Sequence, residues 1–127
     1  MDSEKISVVP WSNTDPMTLT RHLIKSQKTH KEATGDFTLL LSSIQTACKF
    51  IDHKVRKAGI ANLYGLAGNE NSTGDSQKKL DVLSNEVFIK MLQSNQQCAL
   101  LASEEEESAY IIDLPDAKYV VAFDPLE

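Results

Sequence analysis

The sequence predicts an α+β domain in which helices pack on a short, mainly antiparallel sheet. Two helical periodicities and one change of period carry that prediction. Apolar residues recur at three- and four-residue steps from Phe37 to Val55 and again from Leu80 to Met91, whereas from Cys98 onward they gather into short runs. With 127 residues, 41% hydrophobic and 24% charged, the chain has the size and composition of one soluble globular domain.

The elements follow in order. Residues 1–17 are polar, contain Pro10 and Pro16, and show no sustained period, so they read as an arm ahead of the domain. Thr18 can cap a short helix with Leu19, Leu23 and Ile24 on its inner side, fading by Thr29. The long helix has Phe37, Leu40, Leu41, Ile44, Cys48, Ile51 and Val55 as its buried face, which makes Cys48 a small buried thiol. Thr34, Gly35 and Asp36 open it with a hydroxyl cap and an acidic residue against the helix dipole. Arg56, Lys57 and Gly59 form its basic last turn and its stop.

Residues 65–78, with Gly65, Gly68 and Gly74 among polar neighbours, read as a mobile surface loop. A third helix runs from about Lys79 to Ser94 with Leu80, Leu83, Val87 and Met91 on one side. Cys98 to Ala102, Tyr110 to Ile112 and Tyr119 to Phe123 then read as a three-stranded meander. Each run is apolar on both faces, so each strand needs cover on both sides, and the helices can cover only one.

Several function classes recede at this point. A net charge of −5, from 13 basic and 18 acidic residues, disfavours neutralisation of a nucleic-acid backbone. No apolar run reaches the roughly 20 residues of a membrane helix, and the first residues lack the pattern of a secretory signal. Cys48 and Cys98 form neither a disulfide framework nor a zinc site, so a reduced, cytoplasmic setting is expected, with no nucleic-acid or membrane partner. His22, His30 and His53 are scattered and read as surface residues, and no Gly-x-x-x-x-Gly-Lys phosphate loop occurs.

The carboxylates carry the positive signal. In an up-down-up meander the first and third strands run the same way, so Ser103-Glu104-Glu105 and Asp124-Pro125-Leu126-Glu127 meet at one sheet edge. Acidic groups gathered there repel one another, and hard divalent cations such as Mg²⁺ relieve the repulsion. Plainer readings stand beside this one. Glu104 to Glu107 can be a solvated acidic turn, Asp124-Pro125 a turn opener, Asp81 a helix-dipole partner and Asp75 a turn residue after Gly74.

Taken in order, Thr73-Gly74-Asp75, Lys78-Lys79-Leu80-Asp81-Val82-Leu83-Ser84-Asn85, Ser103-Glu104-Glu105, Lys118-Tyr119-Val120-Val121 and Asp124-Pro125-Leu126 resemble the class I fructose-1,6-bisphosphatases. Ala33-Thr34-Gly35-Asp36-Phe37-Thr38 and Val55 to Ile60 are similar to the same family, which belongs to the Mg²⁺-dependent, lithium-sensitive sugar phosphatases. The resemblance covers 18–127 and implies the N-terminal part of that layered fold, with the other covering layer missing. It implies hydrolysis of fructose 1,6-bisphosphate to fructose 6-phosphate and phosphate in gluconeogenesis. Carried over, Asp75, Glu104, Asp124, the carbonyl of Leu126 and Glu127 would bind Mg²⁺, with Mn²⁺ or Zn²⁺ as substitutes. Asp81 and Glu105 would orient or deprotonate the attacking water.

The resemblance also implies an inhibitory AMP site at Thr34, Gly35, Asp36, Phe37, Thr38, Lys118 and Tyr119, and homotetramers for the complete enzyme. A helix N-terminus favours an anion on general grounds. Glu127 stands where the family has aspartate, and Ala33 where many members have glycine. The family's sugar- and 6-phosphate-binding residues lie in a C-terminal part beyond Glu127. An N-terminal fragment with little activity of its own is therefore expected. The alternatives are a non-catalytic regulatory fragment that binds AMP or intact subunits, and a related sugar or inositol phosphatase.

Overall fold

The computed structural model of the chain describes residues 14–63 and 70–126, with the backbone alone given for 61–63 and 70–77. Most of the expected arm, the start of the expected loop and Glu127 lie outside those residues. The described chain forms two units, one ending at Ala33 and one beginning at Thr34.

The first unit contains helix α1, Leu19–Gln27, which ends close to the expected point. The Thr18 hydroxyl caps it by accepting from the Arg21 amide at 3.1 Å. Arg21 pairs with Asp15, fastening the last residues of the arm to the first turn. Leu23 is buried, while Ile24, expected inside, is half exposed.

The second unit carries helices α2, Asp36–Leu63, and α3, Glu70–Ser94, followed by strands β1, Cys98–Ser103, β2, Tyr110–Ile111, and β3, Tyr119–Phe123. Leu40, Ala47 and Ile51 from α2, Phe88, Ile89 and Leu92 from α3, and Cys98 and Leu101 from β1 form one buried cluster. Ile44, Val87, Met91, Tyr119, Val121 and Phe123 pack around it. Phe88 stacks on Phe123 with ring centroids 5.3 Å apart, joining helix to sheet. Leu92 and Leu101 are fully buried, and each contributes about 1.5–3 kcal/mol by leaving water.

The helices of this unit depart from expectation in several places, and Phe37 and Val55, expected on the buried face of α2, are exposed. Cys48 is exposed and Cys98 is the buried thiol, because the inner stripe of α2 runs through Ala47 rather than its neighbour. Gly59 does not stop α2, which continues to Leu63 without a basic last turn. Helix α3 begins at Glu70, so residues 70–78 are helical rather than loop, Gly74 included. A glycine inside a helix costs only about 1 kcal/mol, which the length of α3 can absorb. The face of α3 is also rotated, with Ser84, Asn85, Phe88, Ile89 and Leu92 as its buried positions.

The sheet is not a meander. Its order is β2-β1-β3, with β1 antiparallel to β2 and parallel to β3. The parallel pairing is the longer one, running from Cys98↔Tyr119 to Ser103↔Phe123 with one irregularity between Cys98 and Leu100. The backbone amides of Lys118 and Tyr119 both donate to the Gln97 carbonyl, at 3.2 and 3.1 Å, which sets the start of β3. The expectation of an uncovered face holds. Leu100 is register partner to both Ile111 and Val120, and these last two are 83% and 66% exposed on the side away from the helices.

Candidate metal edge and anion-binding helix terminus

Parallel pairing of β1 and β3 aligns their C-terminal ends. Ser103 is opposite Phe123, and the Glu104 amide donates to the Phe123 carbonyl at 3.0 Å. Glu104 and Asp124 therefore leave the sheet side by side, on strands about 4.8 Å apart. The meander would have kept a strand between them, so the observed order brings these two acids closer than expected. Pro125 is buried and Leu126 packs on the core cluster, anchoring the chain just beyond Asp124.

Asp81 reaches the same region from α3. The Glu105 carboxyl is held above the ordinary glutamate range, first by partial desolvation and then by the charges of Glu104, Asp81, Asp124 and Glu106. Like charges thus crowd one place, as the sequence reading proposed. Among the described residues the ion pairs are Arg21–Asp15, Arg56–Asp52, Lys90–Glu86 and Lys118–Asp36, and none involves an acid of this edge. Among the described residues, too, no three His, Cys, Asp or Glu side chains are arranged to hold a metal ion. The cluster supplies hard oxygen donors and excess negative charge, which suits Mg²⁺-type cations, without a closed coordination cage. The Asp75 side chain and Glu127 lie outside the described residues, so two members of the expected ligand set have no geometry here.

A hydrogen-bonded chain braces this edge. The Ser103 hydroxyl donates to the Asn85 side-chain oxygen at 2.6 Å, and the Asn85 amide nitrogen donates to Glu106 Oε1 at 2.7 Å. The Glu105 amide donates back to the Ser103 hydroxyl at 3.3 Å. Asn85 closes one of the stretches that carry the family resemblance, but the sequence assigned it no role in the site. Its spacing of four from Asp81 on the same helix was the available signal.

The second expected site also comes together. Gly35 has φ +92°, a conformation that favours glycine, and its carbonyl accepts from the Leu39 amide at 3.1 Å to start α2. The Thr34 hydroxyl accepts from the Asp36 amide at 3.4 Å. Lys118, just ahead of β3, places its Nζ 3.0 Å from Asp36 Oδ2, and the Phe37 and Tyr119 rings lie 5.9 Å apart. Asp36 is held below the ordinary aspartate range, first by the Thr34 hydroxyl and then by Lys118. Residues 34–37 and 118–119 thus form one neighbourhood at a helix N-terminus.

Fold and site together define an α+β domain with an acidic sheet edge and a lysine beside a helix N-terminus. Residues 17–127 match the family model described as fructose-1-6-bisphosphatase, N-terminal domain, and the chain belongs to this family. It is 51% identical over 115 residues to the cytosolic fructose-1,6-bisphosphatase of Saccharum hybrid and 53% over 116 residues to that of Musa acuminata. In each case the match takes in 90% of this chain and 34% of the relative. Among solved structures, the holo form of Leishmania major fructose-1,6-bisphosphatase is similar with a TM-score of 0.68 and 40% identity, over 87% of this chain and 32% of that one. The chain thus spans about a third of the length of the relatives it matches. Among the described residues no helix is long and apolar enough to cross a membrane.

Proposed function

We propose that the chain, from residue 18 onward, supplies the N-terminal part of a cytosolic fructose-1,6-bisphosphate 1-phosphatase that depends on Mg²⁺, or on Mn²⁺ or Zn²⁺ in its place. The observation that carries this reading is the parallel β1/β3 pairing, which puts Glu104 beside Asp124, both of them acting with Asp81 on the Glu105 carboxyl. Glu104, Asp124 and the Leu126 carbonyl, joined by Asp75 and Glu127, would hold the cation. Bound there, a divalent cation neutralises phosphoryl oxygens and acidifies a coordinated water. Glu105, next in sequence to Glu104 and in the same acidic cluster, would orient the attacking water. Asp81 is suited to accept the proton released as the water attacks. The fructose moiety and its 6-phosphate would be bound outside this chain, and the complete enzyme would be a tetramer.

A test joins residues 18–127 to the remaining two-thirds of the Musa acuminata relative and measures phosphate release from fructose 1,6-bisphosphate. The chimera should hydrolyse the substrate in Mg²⁺, an Asp124→Ala chimera should lose about two orders of magnitude or more, and the 127-residue chain alone should release little. A folded but inactive chimera, or equal activity after Asp124→Ala, contradicts the reading.

One observation favours a second, regulatory reading. The Lys118 Nζ lies 3.0 Å from Asp36 Oδ2 at the N-terminus of α2, with the Phe37 and Tyr119 rings 5.9 Å apart, so residues of the expected AMP site meet in one place without any help from the acidic edge. A non-catalytic chain could therefore bind AMP, or associate with intact subunits, without performing chemistry. Calorimetric titration of the chain with AMP separates this reading from a chain with no ligand of its own.

A further inference from the structure

We propose that Asn85 is a positioning residue, which through Ser103 and Glu106 fixes the exit of β1 to α3 and so holds Glu104 and Glu105 in one cluster with Asp81 and Asp124. The inference rests on the metal reading of that edge and adds how the edge is built. Asn85 and Ser103 are each 7% exposed, so their polar groups need partners inside the protein.

The partners fix the Asn85 amide in one orientation. Its oxygen accepts from the Ser103 hydroxyl at 2.6 Å and its nitrogen donates to the Glu106 carboxylate at 2.7 Å. The reversed amide would aim an oxygen at the carboxylate, so the charge of Glu106 selects this arrangement. Ser103 then has a free lone pair for the Glu105 amide, at 3.3 Å, and its carbonyl accepts from the Glu106 amide at 3.2 Å. The Glu104 amide is bound on the other side by the Phe123 carbonyl at 3.0 Å. Glu104 and Glu105 are thereby held at both ends of a tight turn. Asn85 is also one helical turn from Asp81, so the same contact sets the acid of α3 relative to the acids of β1. Such bracing matters most where like charges would otherwise splay a turn apart.

The test uses the 127-residue chain with Mn²⁺ as probe, read by paramagnetic broadening of the Glu104 and Glu105 amide signals. The wild type should show saturable broadening, and Asn85→Ala and Ser103→Ala should weaken the Mn²⁺ dissociation constant by about 10–100-fold. Ser103→Thr, which keeps the hydroxyl, should restore it. Thermal melts keep the comparison to folded protein, and if Asn85→Ala fails to fold, the Ser103→Ala and Ser103→Thr pair decides. Wild-type affinity in the folded Ala variants overturns the positioning role and leaves the metal reading standing. No broadening in the wild type overturns the metal reading and the positioning role with it.

Discussion

Asp36 and Lys118 are 82 positions apart in sequence and 3.0 Å apart in space. Their meeting was legible only as a family resemblance, since neither residue's local pattern names the other. The depressed pKa of Asp36 has a signed consequence for stability. The folded chain releases this proton more readily than the unfolded chain, so the stabilisation is complete above the ordinary aspartate range. It is lost as pH falls through the depressed value. Lys118→Met should therefore flatten the acid limb of a plot of melting temperature against pH, leaving the part due to Thr34. If Lys118 also serves an incoming phosphate group, the same variant should weaken AMP binding in calorimetry. An unchanged acid limb would show that the pair does not persist in solution. Cys48 teaches a different lesson at this scale. Periodicity located the inner stripe of α2 but not its centre line, and a shift of one residue exchanged Cys48 for Ala47.

Among the elements, the middle of α2 was read well, whereas the inner face of α3 and the ends of both helices were not. The pattern of Leu40, Ile44 and Ile51 gave α2 because a buried stripe leaves a period that any sequence retains. Its end was misjudged because a glycine is a stop only when the chain turns there, and here the helix runs on past Gly59 to Leu63. The start of α3 was missed for the same reason at Gly74. The three strands were found, but their order was not, since an apolar run shows that a strand forms without saying which strand it pairs with. That order is what brings Glu104 beside Asp124, so the acidic edge was legible in composition and only half legible in geometry. Packing between α3 and β1 depends on Leu92, which is fully buried. Leu92→Ala should destabilise the chain by about 2–5 kcal/mol in denaturant unfolding. A loss under 1 kcal/mol would mean that the α3–sheet layer is looser than its burial implies.

For the molecule as a whole, the bare face of the sheet is the dominant feature. Ile111, Leu100 and Val120 form an apolar row across all three strands, and β3 is an edge strand. Exposed edges with apolar faces invite association. Replacing Ile111 and Val120 together with Lys should leave unfolding stability within about 0.5 kcal/mol per site, because both side chains already face solvent. The same change should reduce self-association in sedimentation experiments. A marked loss of stability would show that this face is covered in the isolated chain. The sequence made the bare face visible because each strand is apolar on both sides and the helices can cover only one of them.

In our proposal the adjacent exits of β1 and β3 hold a divalent cation. Crystals of the chain grown with Mn²⁺ and measured by anomalous diffraction should show a peak at coordination distance from Glu104 and Asp124. A peak elsewhere, or none at saturating Mn²⁺, would contradict it.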